Sequence, residues 1–231
     1  MVFPNLDNEK NLWNQGYRFI AGIDEVGRGA WAGPVVAAAV IFPQDVKIPQ
    51  GLRDSKLLTP KRREELDGKI KEIALSFAVG ECDSPIIEKK GIAVATQIAM
   101  RKALRALDPE PDFSLIDYFT LKYIKKSSQK AVEKGDLYCV SIAAASIVAK
   151  VYRDNLMRKL DNHKEFEVYR FGKHKGYGTK LHQQLICKHG ISSVHRVSFV
   201  PKGLFSENSE NSVRRNVGVS ENQTNRIHQS F

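Results

Sequence analysis

The feature that most constrains this chain is an apolar run that ends in two neighbouring acids and a glycine-rich turn. Residues 19–26 have the composition of a strand, and Asp24 and Glu25 fall at its end, before Gly-Arg-Gly at 27–29. Burial of carboxylates is costly unless a cation or hydrogen bonds offset it. Carboxylate oxygens are ligands that Mg²⁺ and Mn²⁺ prefer. The segment therefore predicts a divalent metal site, with a solvent-exposed charged turn as the alternative.

Two further acids follow apolar runs. Asp117 ends the run Phe-Ser-Leu-Ile-Asp, and Asp136 stands in Lys-Gly-Asp just before a long Ala-rich segment. Each acid alone is also typical of a helix cap or a turn. Together with Asp24 and Glu25, however, they make four carboxylates at the ends of predicted core elements. Such a set could hold two divalent ions about 3.5–4 Å apart, the arrangement used for in-line attack on phosphodiesters.

Composition narrows the class of partner. The net charge is +10 over 231 residues, which favours an anionic partner such as nucleic acid, although a merely basic protein has the same balance. We find no apolar run long enough to span a membrane and no secretory signal in residues 1–16. Cys82, Cys139 and Cys187 are far apart and match neither a disulfide framework nor a zinc pattern. A reducing cytoplasm is the expected location.

The chain divides into a patterned part and a tail. Residues 205–231 are rich in Ser and Asn, lack apolar periodicity and carry no net charge, so we expect a disordered tail. The excess positive charge therefore lies on residues 1–204. Strand patterns cover 19–26, 35–42, 76–81 and 113–119, and helical patterns cover 61–75, 92–107, 141–160 and 179–189, with a further helix starting at 84. This order predicts one α/β domain with a mixed sheet flanked by helices.

Five blocks, in order, strongly resemble bacterial ribonuclease HII and span residues 21 to about 201. The blocks are Ala-Gly-Ile-Asp-Glu-Val-Gly-Arg-Gly-Ala-Trp-Ala-Gly-Pro from residue 21, Asp-Ser-Lys at 54–56, Ser-Ile-Ala-Ala-Ala-Ser-Ile-Val-Ala-Lys-Val-Tyr-Arg-Asp at 141–154, Lys-Gly-Tyr-Gly-Thr-Lys-Leu-His at 175–182 and Val-His-Arg-Val-Ser-Phe at 194–199. The resemblance implies an RNase H-like catalytic domain over residues 1–204.

Carried over by motif, the catalytic and metal-binding carboxylates would be Asp24, Glu25, Asp117 and Asp136, with Asp154 as the rival for the fourth position. The resemblance implies two divalent ions, Mn²⁺ or Mg²⁺, with substrate bound. We expect Asp24 and Asp117 at the ion that activates water, and Glu25 and Asp136 nearer the ion that stabilises the leaving 3′-oxygen. On the long helix, Asp154 follows Lys150 by four residues, so an ion pair within the helix is its simpler explanation.

The resemblance also implies how substrate is recognised. Gly27, Arg28 and Gly29 would read the 2′-OH of a ribonucleotide, Lys56 would contact the phosphate near the cut, and Tyr177 would stack on the next deoxyribose. The expected reaction is hydrolysis of the RNA strand of RNA–DNA hybrids and nicking 5′ to single ribonucleotides in duplex DNA, leaving 3′-OH and 5′-phosphate ends. We expect a monomer that binds these nucleic acids and no membrane.

Two other functions compete. A catalytically silent binder of hybrids could share the fold, but it has no need of buried acids that repel phosphates. A junction resolvase of the same superfamily would not require the turn at 27–29 or Tyr177. For the histidines near the C-terminus, the adjacent basic residues predict a solvated or phosphate-facing surface. The Lys-rich stretch at 121–134 predicts a solvated loop, and Trp13 and Trp31 are expected to pack rather than bind bases.

Overall fold

A five-stranded mixed sheet is built from the apolar runs of the sequence. The computed structural model describes residues 3–204, and the predicted disordered tail at 205–231 lies outside the described residues. The strands are β1 (Ile20–Val26), β2 (Val35–Ile41), β3 (Ser76–Cys82), β4 (Phe113–Asp117) and β5 (Gln129–Val132). Their order across the sheet is β3-β2-β1-β4-β5. The antiparallel pairs are β1 with β2 and β2 with β3, so the prediction of a mixed sheet is confirmed.

Three neighbouring strands are parallel, and this fixes where the acids go. β1 pairs in parallel with β4, with Ile23 opposite Ile116, and β4 pairs in parallel with β5, with Asp117 opposite Val132. Parallel strands bring their carboxyl ends to one edge of the sheet. Residues that follow these three strands therefore start from the same edge, although they are far apart in sequence.

The helices follow the predicted start signals. They are α1 (Asp7–Asn14), α2 (Pro60–Ile73), α3 (Ser84–Lys90), α4 (Ile92–Arg105), α5 (Gly135–Tyr138), α6 (Val140–Leu160), α7 (Phe171–His174) and α8 (Lys180–His189). The Thr59 hydroxyl accepts a hydrogen bond from the Arg62 amide, and Thr179 does the same for His182, so each threonine caps its helix. The sequence did not indicate α1, α5, α7 or β5.

The core of the sheet depends on very close packing of α6. Val36, Ala38 and Val40 of β2 pack with apolar residues of α2 and α6 in one buried cluster. On β1, a Cβ placed on Gly22 would come closer than 3.0 Å to the backbone carbonyl carbon of Ser141, at the start of α6. Only glycine at this position allows the strand and the helix backbone to approach so closely.

A distant carboxylate caps the start of α6. Glu9 on α1 is buried, and its Oε1 accepts hydrogen bonds from the Ser141 amide at 2.9 Å and the Ser141 hydroxyl at 2.6 Å. Burial raises the pKa of Glu9, although the Ser141 bonds counteract that effect. A negative group is favourable here because helix N-termini carry unpaired amides and a positive partial charge.

The described residues group into two compact units. The sheet unit comprises residues 3–28, 35–82 and 92–153, and the C-terminal unit comprises 29–34, 83–91 and 154–204. In the C-terminal unit, Met157 and Leu160 from the end of α6 cluster with Phe166, Tyr169 and Phe171. That residues 1–204 act as one catalytic domain stays a prediction. None of the helices formed within residues 3–204 has the length and apolarity to cross a membrane.

Candidate active site

The carboxyl edge of the parallel strands carries the predicted acids. Asp24 and Glu25 lie one and two residues beyond Ile23, which pairs with Ile116, and Asp117 is the last residue of β4. Electrostatic repulsion from Asp117 acts on both Asp24 and Glu25. The structure thus brings these three acids together, because β1 and β4 are parallel and end at the same edge.

Asp24 is the most deeply buried of these acids, with 5% of its surface exposed. Its Oδ1 accepts a hydrogen bond from the Glu25 amide at 2.7 Å, and the Ser146 hydroxyl also bonds to its carboxylate. Burial, followed by repulsion from Glu25 and Asp117, holds the pKa of Asp24 well above its usual range. Keeping this group ionised at neutral pH therefore requires a compensating positive charge.

Glu25 is partly neutralised by its neighbour in the glycine turn. Its Oε1 accepts a hydrogen bond from Arg28 Nη1 at 3.1 Å. Burial raises the pKa of Glu25, while Arg28 lowers it and Asp117 raises it again. Its second oxygen, Oε2, is buried and has no hydrogen-bond partner among the described residues. A buried carboxylate oxygen with no donor is poorly stabilised by protein alone, and a cation is the natural partner for it.

Asp117 and Asp136 meet where the chain passes from β5 to α5. Asp117 Oδ1 accepts a hydrogen bond from the Gly135 amide at 2.7 Å, and Asp136 is the next residue. Burial raises the pKa of Asp117; the Gly135 bond lowers it and Asp136 raises it. Asp136 therefore lies beside Asp117, and β5 is the strand that brings it there; its role as fourth acid stays a prediction.

Lys56 faces the same acids. Its Nζ lies 3.5 Å from Asp136 Oδ2, while most of its side chain is exposed. Burial of the ammonium group lowers the pKa of Lys56, but Asp54, Asp136 and Asp24 raise it, and the net shift is upward. Lys56 therefore stays protonated and can contact an anion from solvent.

Two groups that sequence reasoning did not assign support this site. Asp54 is buried and its Oδ1 accepts a hydrogen bond from the Lys56 amide at 2.9 Å, which fixes the turn that carries Lys56. The Ser55 and Ser146 hydroxyls lie 2.9 Å apart, so Ser55 is linked through Ser146 to Asp24. In the sequence, the signals that could have identified these supporting residues were the acid and serine of the Asp-Ser-Lys segment and the lone serine on the Ala-rich face of α6.

The donor set fits divalent cations. Asp24, Glu25, Asp117 and Asp136 offer only hard oxygen ligands, and one of these oxygens is buried without a donor. Each acid has a protein partner, and within residues 3–204 no three ligand side chains already converge on one point. Burial, and then repulsion between the acids, raises the pKa of Asp24, Glu25 and Asp117, and a bound cation would counteract both effects.

The turn after the acids requires glycine at its first position. Gly27 has a φ of +88°, and a Cβ there would lie closer than 3.0 Å to the guanidinium of buried Arg153. The Arg28 guanidinium lies over the Phe119 ring, 5.9 Å from its centroid, while it bonds to Glu25. Arg28 is thus held between an acid of the site and an aromatic residue just after Asp117.

The remaining predicted substrate residues, Gly29 and Tyr177, belong to the C-terminal unit. The Gly176 carbonyl there accepts hydrogen bonds from the Trp31 amide at 2.8 Å and the Ala32 amide at 3.2 Å. The Trp31 ring lies against Gly178, where a Cβ would come closer than 3.0 Å. The segment that follows Gly29 and the segment that contains Tyr177 are therefore bonded to each other. Trp31 packs, as predicted.

The prediction for the C-terminal histidines is wrong for three of them. His174, His182 and His195 are buried, and only His189 of the four is exposed. Lys173, Lys180 and Lys188 are exposed, but helical and turn periodicity directs the imidazoles inward among Tyr169 and other aromatic rings. The basic residues around these histidines therefore led to a wrong prediction that the imidazoles are exposed.

Asp154, the rival fourth acid, lies on α6 in the C-terminal unit and is buried. The electrostatic neighbours of Asp117 include Asp136 and Asp54. The choice of Asp136 over Asp154 as the fourth acid stays a prediction.

Solved structures of similar fold share this architecture. The chain is similar to ribonuclease H2 from Pyrococcus horikoshii OT3, with a TM-score of 0.64 and 24% identity, covering 85% of this chain and 98% of the other. It is also similar to the structure of the PCNA:RNase HII complex from Archaeoglobus fulgidus, with a TM-score of 0.65, 25% identity, and coverage of 83% and 99%. A third neighbour, Bst-RNase HIII in complex with Mn²⁺, has a TM-score of 0.62 and 21% identity, with coverage of 86% and 71%. The fold is that of the type 2 ribonucleases H.

Sequence comparison is more specific. A family model described as ribonuclease HII matches residues 21–202. Ribonuclease HII of Dehalococcoides mccartyi strain 195 is 49% identical over 207 residues, covering 88% of this chain and 97% of the relative. Ribonuclease HII of Desulfitobacterium hafniense strain DCB-2 is 49% identical over 196 residues, with coverage of 85% and 74%. The chain belongs to the ribonuclease HII family, and it is an endonuclease that degrades the RNA of RNA–DNA hybrids.

Proposed function

We propose that this ribonuclease H also nicks duplex DNA on the 5′ side of a single embedded ribonucleotide, leaving 3′-OH and 5′-phosphate ends. The observation that carries the proposal is the direct bond between the acid edge and the glycine turn, Arg28 Nη1 to Glu25 Oε1 at 3.1 Å. A group that recognises a 2′-OH must be held at a fixed distance from the groups that cleave the adjacent phosphodiester. This bond fixes the position of the glycine turn relative to Glu25 within one short segment.

The acids Asp24, Glu25, Asp117 and Asp136 would hold two divalent ions, Mn²⁺ or Mg²⁺, when substrate is bound. Such ions lower the pKa of a bound water and neutralise the charge that develops on the reacting phosphate. The chain itself supplies the geometry of the carboxylates. The Gly135 amide orients Asp117, the Ser146 hydroxyl and the Glu25 amide orient Asp24, and Arg28 orients Glu25.

Lys56 would contact the phosphate next to the cut. Its ammonium group is anchored at one side by Asp136 and its side chain is largely exposed, so it can reach an anion without leaving the site. Its raised pKa keeps it charged over the whole neutral range. Phosphate contacts of this kind position a duplex without reading its sequence.

The glycine turn and Tyr177 would discriminate sugars. Among the described residues, apart from its chain neighbours, no atom lies within 4 Å of where a Cβ on Gly29 would stand, so packing does not explain the glycine, whereas close approach of a ribose would. The Tyr177 ring would stack on the following deoxyribose and thereby test for DNA. We expect the protein to act as a cytoplasmic monomer on RNA–DNA hybrids and on ribonucleotide-containing duplexes.

The test is cleavage of a labelled DNA duplex that contains one ribonucleotide, in Mg²⁺, Mn²⁺ or EDTA. We expect a single metal-dependent cut 5′ to the ribonucleotide, with no cut in an all-DNA duplex or an all-DNA junction. Product ends are identified by ligation and by phosphatase sensitivity. Cleavage of the all-DNA junction would indicate a resolvase, and tight binding without any cut would indicate a silent binder; either result contradicts the proposal.

Tyr177 is tested with two substitutions. Tyr177→Ala should impair cleavage at a single ribonucleotide more than binding to plain duplex, because the stacking surface is lost. Tyr177→Phe is the matched control, since it keeps the ring and should keep most of the activity. Equal losses on all substrates would contradict the stacking role.

A further inference from the structure

The Tyr177 segment is held by buried histidines rather than by its own backbone alone. The Tyr177 carbonyl lies 3.0 Å from His182 Nδ1, and His182 Nε2 lies 3.0 Å from His195 Nε2. His195 Nδ1 in turn lies 2.9 Å from the Ser192 amide nitrogen. All three contacts are between buried or partly buried groups of the C-terminal unit, and neither His182 nor His195 touches solvent appreciably.

The direction of every proton in this chain of contacts is fixed by the backbone. The Ser192 amide can only donate, so His195 Nδ1 is an acceptor without a proton. The neutral His195 ring then carries its proton on Nε2 and donates it to His182 Nε2. His182 must therefore carry its proton on Nδ1, which donates to the Tyr177 carbonyl, a group that can only accept.

The residue before Tyr177 is fixed in the same way. The Gly176 amide donates to His174 Nδ1 at 3.2 Å, so His174 carries its proton on Nε2 and donates to the Tyr169 carbonyl at 2.9 Å. The His174 and His182 rings stack, with centroids 4.2 Å apart and planes 18° apart. Stacked histidines thus hold the polypeptide on both sides of the Tyr177 side chain.

From these contacts we propose that His182 and His195 are positioning residues that set the place of Tyr177 through one directional chain of hydrogen bonds. The proposal rests on the proposed role of Tyr177 in testing the sugar after the ribonucleotide. Its consequence is that selectivity for a single ribonucleotide depends on the tautomer of a histidine that does not itself contact substrate. Second-layer hydrogen bonds of this kind commonly set the precision of a site.

The electrostatic surroundings keep the chain neutral. Burial, followed by the neighbouring imidazole of His174, lowers the pKa of His182 to about 4, and burial with His182 lowers that of His195 to about 3. Burial also lowers the pKa of His174, with Asp161 raising it and Lys175 lowering it. Neutral rings are required because a proton on His182 Nε2 would face the proton on His195 Nε2, and a proton on His195 Nδ1 would face the Ser192 amide proton.

The first test reads the tautomers directly and does not involve activity. Nitrogen-15 NMR of the histidine-labelled protein at pH 7 should show His182 protonated at Nδ1, with His195 and His174 protonated at Nε2. Most exposed histidines favour the Nε2 tautomer, so the His182 signal is diagnostic. A His182 ring protonated at Nε2 would overturn the proposal, whatever the enzyme cuts.

The second test measures selectivity, as the ratio of cleavage rates on the single-ribonucleotide duplex and on a uniform RNA–DNA hybrid. His182→Leu removes the donor to Tyr177 and should reduce this ratio about tenfold, because small displacements of a positioning group are costly. His182→Asn keeps a donor near the Nδ1 position and should restore most of the ratio. His163→Leu, at an exposed histidine, is the matched control and should leave the ratio unchanged.

The outcomes separate the two proposals. If Tyr177→Ala lowers the ratio but His182→Leu, while folded, does not, the positioning proposal fails and the proposed function stands. If Tyr177→Ala leaves the ratio unchanged, the proposed sugar test fails first, and the positioning proposal falls with it even if the NMR tautomers are as expected. An equal fall in both rates for His182→Leu, without rescue by His182→Asn, would assign His182 a purely structural role and overturn the proposal.

Discussion

Replacement of Gly22 by alanine tests the packing on which the acid edge depends. The new methyl group would come closer than 3.0 Å to the backbone of Ser141 and Ile142, and neither strand β1 nor the start of α6 can move without disturbing the core. Overpacking in a well-packed core costs about 1–3 kcal/mol, and two opposed backbones place this site at the upper end, about 3 kcal/mol. For a chain of this size that lowers the melting temperature by about 6–12 °C.

The assay is thermal and urea denaturation followed by circular dichroism, with Gly68→Ala as the matched control. Gly68 lies inside α2, and among residues 3–204 a Cβ there would meet no atom within 4 Å beyond its own stretch of helix backbone. Alanine there should stabilise the protein by about 0.5–1 kcal/mol, because glycine is unfavourable within helices. The same substitution should therefore have opposite signs at the two positions. A Gly22→Ala variant as stable as the parent would refute the close approach of β1 and α6.

Further predictions concern charge, pH and thiol reactivity. Asp24→Asn should abolish cleavage while leaving hybrid binding and raising stability, because it removes a buried charge; retained turnover in a steady-state assay would remove Asp24 from the catalytic set. The stability lost as pH is lowered from about 6.5 towards 4 should be smaller in His182→Leu than in the parent, since the unfolded parent takes up a proton that folded His182 does not; urea midpoints of both proteins at pH 7 and pH 5 measure this, and the acids with raised pKa act alike in both. A thiol reagent should label exposed Cys187 rapidly and leave Cys139 unreacted, because burial raises the pKa of that buried thiol to about 12; mass spectrometry after brief labelling distinguishes them.

Most of the sheet could be predicted because its strands are apolar runs bounded by turn residues. The bounds of β1, β2 and β3 agree with the predicted strands to within one residue. β5 was missed because it begins with Gln129 and Lys130 in a Lys-rich stretch that has no strand pattern. A tertiary contact of the Gln129 side chain stabilises it instead. The Gln129 side chain is buried and bonds to both the amide and the carbonyl of Leu121, a tertiary contact that periodicity does not encode.

The acids of the site were predictable because each one follows an apolar run or belongs to a recognised motif. The groups that orient these acids could not be predicted from the sequence. Ser146 appeared as one more small residue on an Ala-rich helix, and Asp54 as part of a motif whose lysine drew attention. The buried histidines were misjudged because neighbouring lysines suggested a wet surface, whereas the direction of each ring depends on backbone turns. Hydrogen bonds between distant segments carry this information, and local sequence does not.

The bond between Arg196 and the Gly33 carbonyl has a consequence for how the enzyme is made on the ribosome. The Arg196 guanidinium is fully buried and donates to that carbonyl at 2.9 and 2.7 Å, across 163 residues of sequence. At translation rates of about 5–20 residues per second, roughly 8–33 s pass between synthesis of the two residues. The four acids of the candidate site are all translated before residue 137, so a nascent chain possesses them well before the segment after Gly29 can be anchored. A message that ends early, before codon 196, would therefore yield a product that has every one of these acids and lacks the anchor of the segment after the glycine turn.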